Sequence, residues 1–202
     1  MLLFKLRKLN QESNNMRIIG GKHRGRELIS PKGDNTRPTT DRIKESIFNI
    51  LNHAKWKDNI LDDATVLDAF AGTGALGFEA LSHGAKDLIL IEQNAMAIKT
   101  CQKNIGALGA ENIAKLMKMD VLKIGKKPNN IETRSLVFID PPYGKNLGEK
   151  ILSLLLKHEW ISSGSVCVME MSKKDPEMIS EDFNIEDERT YGITKVAFLT
   201  VK

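Results

Sequence analysis

Residues 66–77 read VLDAFAGTGALG, an apolar run that passes directly into glycines with the spacing GxGxxG. The apolar part predicts a buried strand, and the glycines permit the tight turn that leads from a strand into a helix. A ligand can approach the glycine backbone in such a unit, and the amides at the start of the helix point towards it. The stretch therefore predicts a strand–turn–helix unit with a ligand site at the carboxyl end of the strand.

The same alternation of strands and helices continues along the chain. We predict strands at Thr65–Phe70, Leu88–Ile91, Ala114–Met119, Leu136–Ile139 and Ser165–Met169, and helices at Ala75–Ser82, Ala95–Leu108 and Leu147–His158. Residues 182–201 are expected to form two antiparallel strands that turn near Tyr191. This order predicts an α/β fold with a Rossmann-like, mostly parallel sheet, helices on both faces and a C-terminal antiparallel hairpin.

The first 60 residues are organised differently from the rest. Residues 1–15 lack periodicity and are expected to be a flexible extension, whereas residues 16–202 are expected to form a single domain. Residues 17–19 and 27–29 predict two short strands of a small hairpin with a basic, glycine-containing tip. A helix is predicted to begin near residues 38–41, with Ile43, Ile47 and Leu51 on its packed stripe and Lys44 on an exposed side.

Charge is distributed unevenly along the chain. Residues 1–60 hold 13 Lys and Arg against 6 Asp and Glu, a net charge of +7, whereas residues 61–202 hold 17 against 20, a net charge of −3. A positive N-terminal segment attracts a phosphate backbone, although surface lysines also serve solubility alone.

The composition predicts a cytoplasmic protein without a bound metal. Cys101 and Cys167 lack metal-ligand spacing and are expected to be reduced thiols in the core, and the four histidines are scattered. No run of about 18 apolar residues is present, so we expect no membrane contact. Nothing in the sequence demands an oligomer, and we expect a monomer.

Carboxylates follow three of the predicted strands. Glu92 lies 20 residues after Gly72, where an acid accepts hydrogen bonds from ribose hydroxyls of either NAD or S-adenosylmethionine. Asp68 lies inside the first strand, where a buried carboxylate is costly unless a cation pairs with it. A ligand ammonium would pair with Asp68, whereas a pyrophosphate would be repelled. Asp120 can accept from an adenine amino group, with the Val121 amide as a neighbouring donor, although Asp120 can also be a turn cap.

A second ligand-binding pattern follows the strand at residues 136–139. Asp140, Pro141, Pro142 and Tyr143 come directly after it, and two prolines forbid further strand pairing. A carboxylate, a carbonyl and an aromatic ring are thus delivered together at the edge where α/β sheets bind ligands. Two acceptors beside an aromatic face suit a flat heterocycle that carries an amino group.

These patterns together resemble class I S-adenosylmethionine-dependent methyltransferases. The order and spacing of residues 68–77, Glu92, Asp120 and residues 140–143 carry that resemblance. The blocks at residues 16–26 and 37–45 are more specific, and they resemble the bacterial 16S ribosomal RNA guanine-N2 methyltransferase family. The resemblance spans residues 16–202.

The resemblance implies methyl transfer to the exocyclic N2 of a guanine in 16S rRNA, on the small ribosomal subunit or an assembly intermediate. It implies S-adenosylmethionine as cofactor and no metal. It divides the domain into a basic RNA-binding appendage at residues 16–60 and a cofactor-binding catalytic core at residues 61–202. The implied catalytic residues are Asp140, Pro141, Pro142 and Tyr143; the cofactor residues are Asp68, Phe70, Gly72, Thr73, Gly74, Glu92, Gln93, Asp120 and Val121; the RNA-binding residues are Lys22, Arg24, Arg26, Arg37 and Arg42.

Other activities remain open from the residues alone. An N6-adenine methyltransferase uses the same tetrapeptide, and protein glutamine methylation is similar but typically has Asn at position 140. A nicotinamide oxidoreductase would leave Asp68 and residues 140–143 without a role. A catalytically inactive RNA-binding or ribosome-assembly module is the alternative outside enzymes.

Overall fold

The computed structural model describes residues 16–30, 41–142, 147–174 and 178–202. Within these ranges the chain forms one seven-stranded sheet and four α-helices. The helices are α1 (Asp41–Asn52), α2 (Ala75–Ser82), α3 (Ala95–Leu108) and α4 (Gly148–Lys157). The strands are β1 (Thr65–Asp68), β2 (Asp87–Glu92), β3 (Ala114–Lys118), β4 (Leu136–Ile139), β5 (Val166–Ser172), β6 (Phe183–Tyr191) and β7 (Thr194–Val201).

The sheet has the strand order β3-β2-β1-β4-β5-β7-β6. The first five strands are parallel, β7 pairs antiparallel with β5, and β6 pairs antiparallel with β7 at the edge. The chain order reverses direction at β1, whose neighbours are β2 and β4. Because ligands bind outside the carboxyl ends of strands at such a switch point, the topology places the candidate site above β1 and β4. The predicted fold class is confirmed.

Two apolar layers cover the two faces of the sheet. Alternate residues of each strand point to opposite faces, so Val66 packs with α1, α2 and α3, whereas Leu67 packs with α4. The central strands β1 and β4 are buried on both faces, which explains why β4 is continuously apolar rather than alternating.

Two predictions in the N-terminal segment are wrong. Residues 17–19 and 27–29 form the predicted hairpin, but an isolated antiparallel bridge between Arg17 and Glu27 joins them in place of the two predicted strands. Side chains of the core take several of the backbone amides that a ladder would need, including those of Ile19 and Ile29. Lys44 is fully buried instead of exposed, because its ammonium donates to a backbone carbonyl of this segment.

Smaller differences concern element ends and residues outside the described ranges. Strand β1 ends at Asp68 rather than Phe70, since the chain turns there towards the glycines. Residues 38–40, the predicted helix start, lie outside the described residues, as do residues 1–15. Cys101 and Cys167 are buried free thiols, as predicted, and burial is the main cause that raises the pKa of each to about 12. In the described part of the chain, no helix has the length and apolarity of a membrane span.

Candidate active site

Three carboxylates meet at the carboxyl edge of the central strands. Asp68 ends β1, Glu92 ends β2, and Asp140 follows β4 directly. The backbone keeps these ends adjacent, because the amide of Ala69 donates to the carbonyl of Phe138 at 2.9 Å. By strand alternation, Asp68 and Glu92 point to the face that carries α2 and α3. The predicted acids are therefore brought to one place.

Asp68 is the buried member of this group. Its Oδ2 accepts a hydrogen bond from the Gly77 amide of α2 at 3.2 Å, and its side chain is almost inaccessible to solvent. Burial raises the pKa of the Asp68 carboxyl to about 7, and the charges of Asp140 and Glu92 add to that rise against the lowering effect of the backbone amides. A cation close to the Asp68 carboxyl would restore its ionised form, which is the role expected of a ligand ammonium.

Glu92 is half-buried and already bound by the backbone. Its Oε2 accepts from the Gly72 amide at 2.8 Å, and its Oε1 accepts from the amides of Gln93 and Asn94 at 2.8 and 2.7 Å. A carboxylate offers about four acceptor positions, so one remains for a ribose hydroxyl. A second hydroxyl could bind only if one amide gave way. Glu92 thus also fixes the glycine turn beside the site.

The glycine turn leaves open space for a ligand. Gly72 has φ +54°, and a Cβ built on it would meet no protein atom within 4 Å. Gly74 is the left-handed residue that precedes α2, and Phe70 and Thr73 are partly exposed beside it. An open glycine backbone next to three carboxylates fits a nucleoside ligand that carries a positive charge, which is the chemistry of S-adenosylmethionine.

The predicted adenine-binding pair lies at the end of β3. Asp120 caps a short 3-10 turn at Val121–Lys123, where its Oδ1 accepts from the Leu122 amide at 3.0 Å. The capping interpretation of Asp120 is therefore correct for one oxygen. Its second oxygen can accept another hydrogen bond, and the Val121 side chain is buried below it against the α4 face of the sheet.

The second motif is described as far as Pro142. Asp140 is half-buried, Pro141 is buried and Pro142 is exposed. Tyr143 lies outside the described residues. No group of three His, Cys, Asp or Glu side chains is placed to hold a metal ion in the ranges that the structure describes.

A basic loop packs against helix α2, whose first residue follows the glycine turn. The chain turns through a 3-10 segment at Gly21–His23, and the side chains of Lys22, Arg24 and Arg26 are exposed around it. Burial lowers the pKa of His23, and the nearby charges of Arg26 and Lys22 lower it further. Arg42 is exposed on α1. Arg37 lies outside the described residues.

A buried ion pair holds the segment that leads into the basic loop. Glu79 of α2 is fully buried and accepts from the amides of Ile19 and Gly20 at 3.0 and 2.7 Å. The ammonium of Lys44 lies 3.9 Å from Glu79 and donates to the Arg17 carbonyl at 2.7 Å. Opposite charges and backbone groups thus satisfy one another inside the core.

The loop is also seated against the end of α2. The Ser82 hydroxyl donates to the Gly20 carbonyl at 2.5 Å and accepts from the His23 amide at 2.9 Å. A Cβ on Gly21, where φ is +68°, would lie 1.9 Å from the Ser82 carbonyl oxygen. Glycine is therefore required for this close approach.

Asn104 of α3 joins the N-terminal segment to the glycine turn. Its side chain is fully buried, accepts from the Ile29 amide at 2.7 Å, and donates to the carbonyls of Ile29 and Thr73 at 3.1 and 3.0 Å. The Thr73 hydroxyl contacts the sulfur of Met16 at 3.1 Å. One end of the N-terminal hairpin therefore contacts Thr73 directly through Met16, and the other end reaches it through Asn104.

Sequence reasoning missed these anchoring residues. Glu79 had a usable signal, since it is the single charge in the otherwise apolar helix α2. Asn104 had none, because it follows the exposed polar residues Gln102 and Lys103 and no local pattern separates it from them.

The chain is similar to known proteins over most of its length. The family model for conserved hypothetical protein 95 matches residues 16–200. A relative from Haemophilus influenzae, named ribosomal RNA small subunit methyltransferase D, is 35% identical over 179 residues, which cover 88% of this chain and 90% of the relative.

Solved structures show the same fold. One from Escherichia coli is 31% identical, with a TM-score of 0.79 over 93% of this chain and 98% of the other. An RNA methyltransferase from Salinibacter ruber in complex with S-adenosyl-L-homocysteine shares 14% identity, with a TM-score of 0.61 over 82% of this chain and 94% of that one. At that identity, the second comparison supports the fold alone.

Proposed function

The chain belongs to the family of conserved hypothetical protein 95 and the ribosomal RNA small subunit methyltransferases D, and from this premise we propose that it methylates the exocyclic N2 of a guanine in 16S rRNA. The methyl donor is S-adenosylmethionine. The substrate is the small ribosomal subunit or a precursor of it, and no metal takes part.

One observation carries this proposal beyond the family. Asp140 and Pro141 lie at the switch point of the sheet, beside Asp68, Glu92 and the open backbone of Gly72. The proposed amine-binding group is thus adjacent to carboxylates and an open glycine backbone, which support the proposed nucleoside site. That adjacency is what transfer of a methyl group to a base amine requires.

The chain's own residues divide the work on the cofactor side. Asp68 faces the ammonium, directly or through water, and Glu92 accepts from the ribose. Asp120 accepts from the adenine amino group, with the Val121 amide as a donor. Gly72, Thr73 and Gly74, with Phe70 and Gln93, form the wall against which the cofactor lies. When bound, S-adenosylmethionine supplies an electrophilic methyl carbon.

Asp140 and Pro141 act on the base. The guanine N2 lone pair is delocalised into the ring, so the amine is a poor nucleophile. The Asp140 carboxylate and the Pro141 carbonyl accept hydrogen bonds from its two N–H groups. They thereby favour a pyramidal nitrogen whose lone pair faces the methyl group. The bond from the methyl carbon to nitrogen would form as the bond from that carbon to sulfur breaks, with S-adenosyl-L-homocysteine as the leaving group. Asp140 takes no proton before transfer, because the amine becomes acidic only after it is methylated; one N–H proton then passes to the Asp140 carboxylate or to water. Orientation of this kind can contribute roughly 7–11 kcal/mol.

Recognition of the RNA falls to the remaining predicted residues. Tyr143 stacks on the base, which is worth about 1–3 kcal/mol, and Pro142 stiffens the segment that carries it. The base must leave its stack to reach the site, which is least costly in an unpaired loop. Residues 16–60 form the RNA-binding appendage of the core at residues 61–202, and Lys22, Arg24, Arg26, Arg37 and Arg42 contact phosphates or base planes.

The test is a methylation reaction with small ribosomal subunits from cells that lack this protein. Nucleoside mass spectrometry should detect N2-methylguanosine, whereas N6-methyladenosine would favour the adenine alternative. Asp140→Ala should abolish methylation while calorimetry shows that S-adenosylmethionine still binds. Asp62→Ala, at an exposed residue before β1, is the matched control and should keep its activity. Full turnover by Asp140→Ala would disprove the amine-holding role.

A further inference from the structure

A single buried side chain connects the two halves of the proposed site. Asn104 presents three hydrogen bonds from α3, two to the backbone of Ile29 and one to the carbonyl of Thr73. Its amide group therefore makes the hydrogen bonds to Ile29 that a neighbouring strand would otherwise make, and it also binds the carbonyl of Thr73 in the glycine turn. Since Asn104 is fully buried, none of these hydrogen bonds competes with water.

The same residue of the glycine turn also contacts the other end of the hairpin. The Thr73 hydroxyl meets the sulfur of Met16, and the Met16 carbonyl accepts from the Leu28 amide at 2.7 Å. Gly72, the preceding residue, donates to Glu92. An unbroken set of contacts thus runs from the proposed ribose acceptor to the segment that carries the basic loop.

We propose that Asn104 is a positioning residue that couples cofactor occupancy to RNA capture. This inference rests on the proposed function. A nucleoside ligand against Gly72 and Glu92 restricts the motion of the turn at Thr73. Through its hydrogen bonds, Asn104 then restricts the motion of Ile29, and the contact of Thr73 with Met16 restricts the other end of the hairpin. The hairpin then loses less conformational entropy when it binds RNA, so the two ligands bind with positive cooperativity.

The first test uses the unaltered protein. The affinity for small subunits from cells that lack this protein is measured by filter binding with and without S-adenosyl-L-homocysteine, which cannot react and has no net charge to attract RNA. We expect the cofactor product to tighten RNA binding by at least about fivefold, and RNA to tighten cofactor binding by the same factor. Equal affinities in the two conditions overturn the proposal, whatever any variant does.

The second test removes the bridge. Asn104→Asp keeps the size and the acceptor for the Ile29 amide, but places a carboxylate oxygen against the carbonyls of Ile29 and Thr73. We expect its coupling, taken as the ratio of RNA affinities with and without saturating S-adenosyl-L-homocysteine, to fall below about twofold, whatever the affinity of the variant for S-adenosyl-L-homocysteine alone. Undiminished coupling in this variant overturns the role of Asn104.

A control on the same helix separates coupling from loss of stability. The Thr100 hydroxyl donates to the Met96 carbonyl within α3. Thr100→Val therefore removes a hydrogen bond of the helix without touching the bridge, and should retain the coupling. Subunits that the parent neither binds nor methylates would contradict the proposed function instead, whereas methylation without coupling contradicts only this inference.

Discussion

The amide of Gly20 donates a 2.7 Å hydrogen bond to Oε1 of Glu79, a carboxylate that α2 buries completely. Gly20 begins the basic loop, and Glu79 lies one turn into the helix that follows the glycine turn. The proposed RNA-binding segment is thus anchored on an element of the proposed cofactor site. Its position relative to the methyl donor is set inside the core rather than by surface contacts.

Loss of this anchor should affect RNA more than the cofactor. Glu79→Ala removes the buried carboxylate beside the Lys44 ammonium and the acceptor of the Ile19 and Gly20 amides, and leaves only the partly exposed Asp41 carboxylate at 3.4 Å from Lys44. This loss should lower the free energy of unfolding by about 3 kcal/mol. Among molecules that remain folded, the KM for small subunits should rise roughly tenfold, because the released loop must be ordered on binding.

The cofactor Kd of Glu79→Ala should stay within about twofold of the parent value, since the Gly72 turn does not contact Glu79. Glu79→Gln keeps an acceptor for Gly20 and should restore much of the RNA affinity. Glu111→Ala, at an exposed residue, is the control and should change neither constant. An unchanged KM in Glu79→Ala would show that the anchor has no part in substrate binding.

The exposed charges of the basic loop should contribute to RNA affinity alone. Lys22→Glu combined with Arg24→Glu should weaken subunit binding and reduce the slope of log affinity against log salt concentration by about two, because two phosphate contacts are lost. Cofactor affinity by calorimetry should be nearly unchanged. Lys126→Glu with Lys157→Glu has the same charge change on the α4 side of the sheet and should have a much smaller effect. Equal losses in the two pairs would point to net charge rather than to the loop.

Space at the glycine turn can be tested with two matched glycines. Gly72 and Gly109 both have positive φ, +54° and +64°, and a Cβ on either would meet no atom within 4 Å. Alanine at each position should cost about 1 kcal/mol of stability from backbone strain. Only Gly72→Ala should reduce cofactor affinity, by at least about tenfold, because its methyl group fills ligand space. Similar cofactor affinities of the two variants would place the ligand elsewhere.

The pKa of Asp68 gives the cofactor site a pH dependence. Burial raises this pKa from 3.8 to about 7, so between those values the folded protein holds a proton that the unfolded chain has lost. The stability contribution of Asp68 is therefore present below pH 4 and falls as the pH rises to 7. Pairing with a ligand ammonium requires the ionised form, so cofactor affinity should rise roughly fivefold from pH 6 to pH 7.

Asp68→Asn is the control for this pH dependence. It cannot ionise, and it should bind the cofactor more weakly with an affinity that changes little over the same range. Calorimetry in buffers of different ionisation enthalpy should also detect proton release on binding to the parent protein alone. A parent affinity that does not change between pH 6 and pH 7 would exclude Asp68 as the partner of the ammonium.

The sequence predicted the sheet and the edge at which the candidate acids meet, because both follow from local patterns. Each feature can be recognised within a few residues: the apolar runs of the strands, the glycines at residues 72–77 and the acids that follow strands. The anchors were missed because they depend on contacts between distant residues, such as Glu79 with Gly20 and Asn104 with Ile29. The prediction of an exposed Lys44 was wrong for the same reason, because no nearby residue indicates that its ammonium donates to the distant Arg17 carbonyl.

Nucleoside mapping of 16S rRNA from a deletion strain tests the proposed activity most directly. Mass spectrometry of the rRNA should show the loss of one N2-methylguanosine, and expression of the parent chain, but not of Asp140→Ala, should restore it. An unchanged set of N2-methylguanosines in the deletion strain would contradict the proposed function.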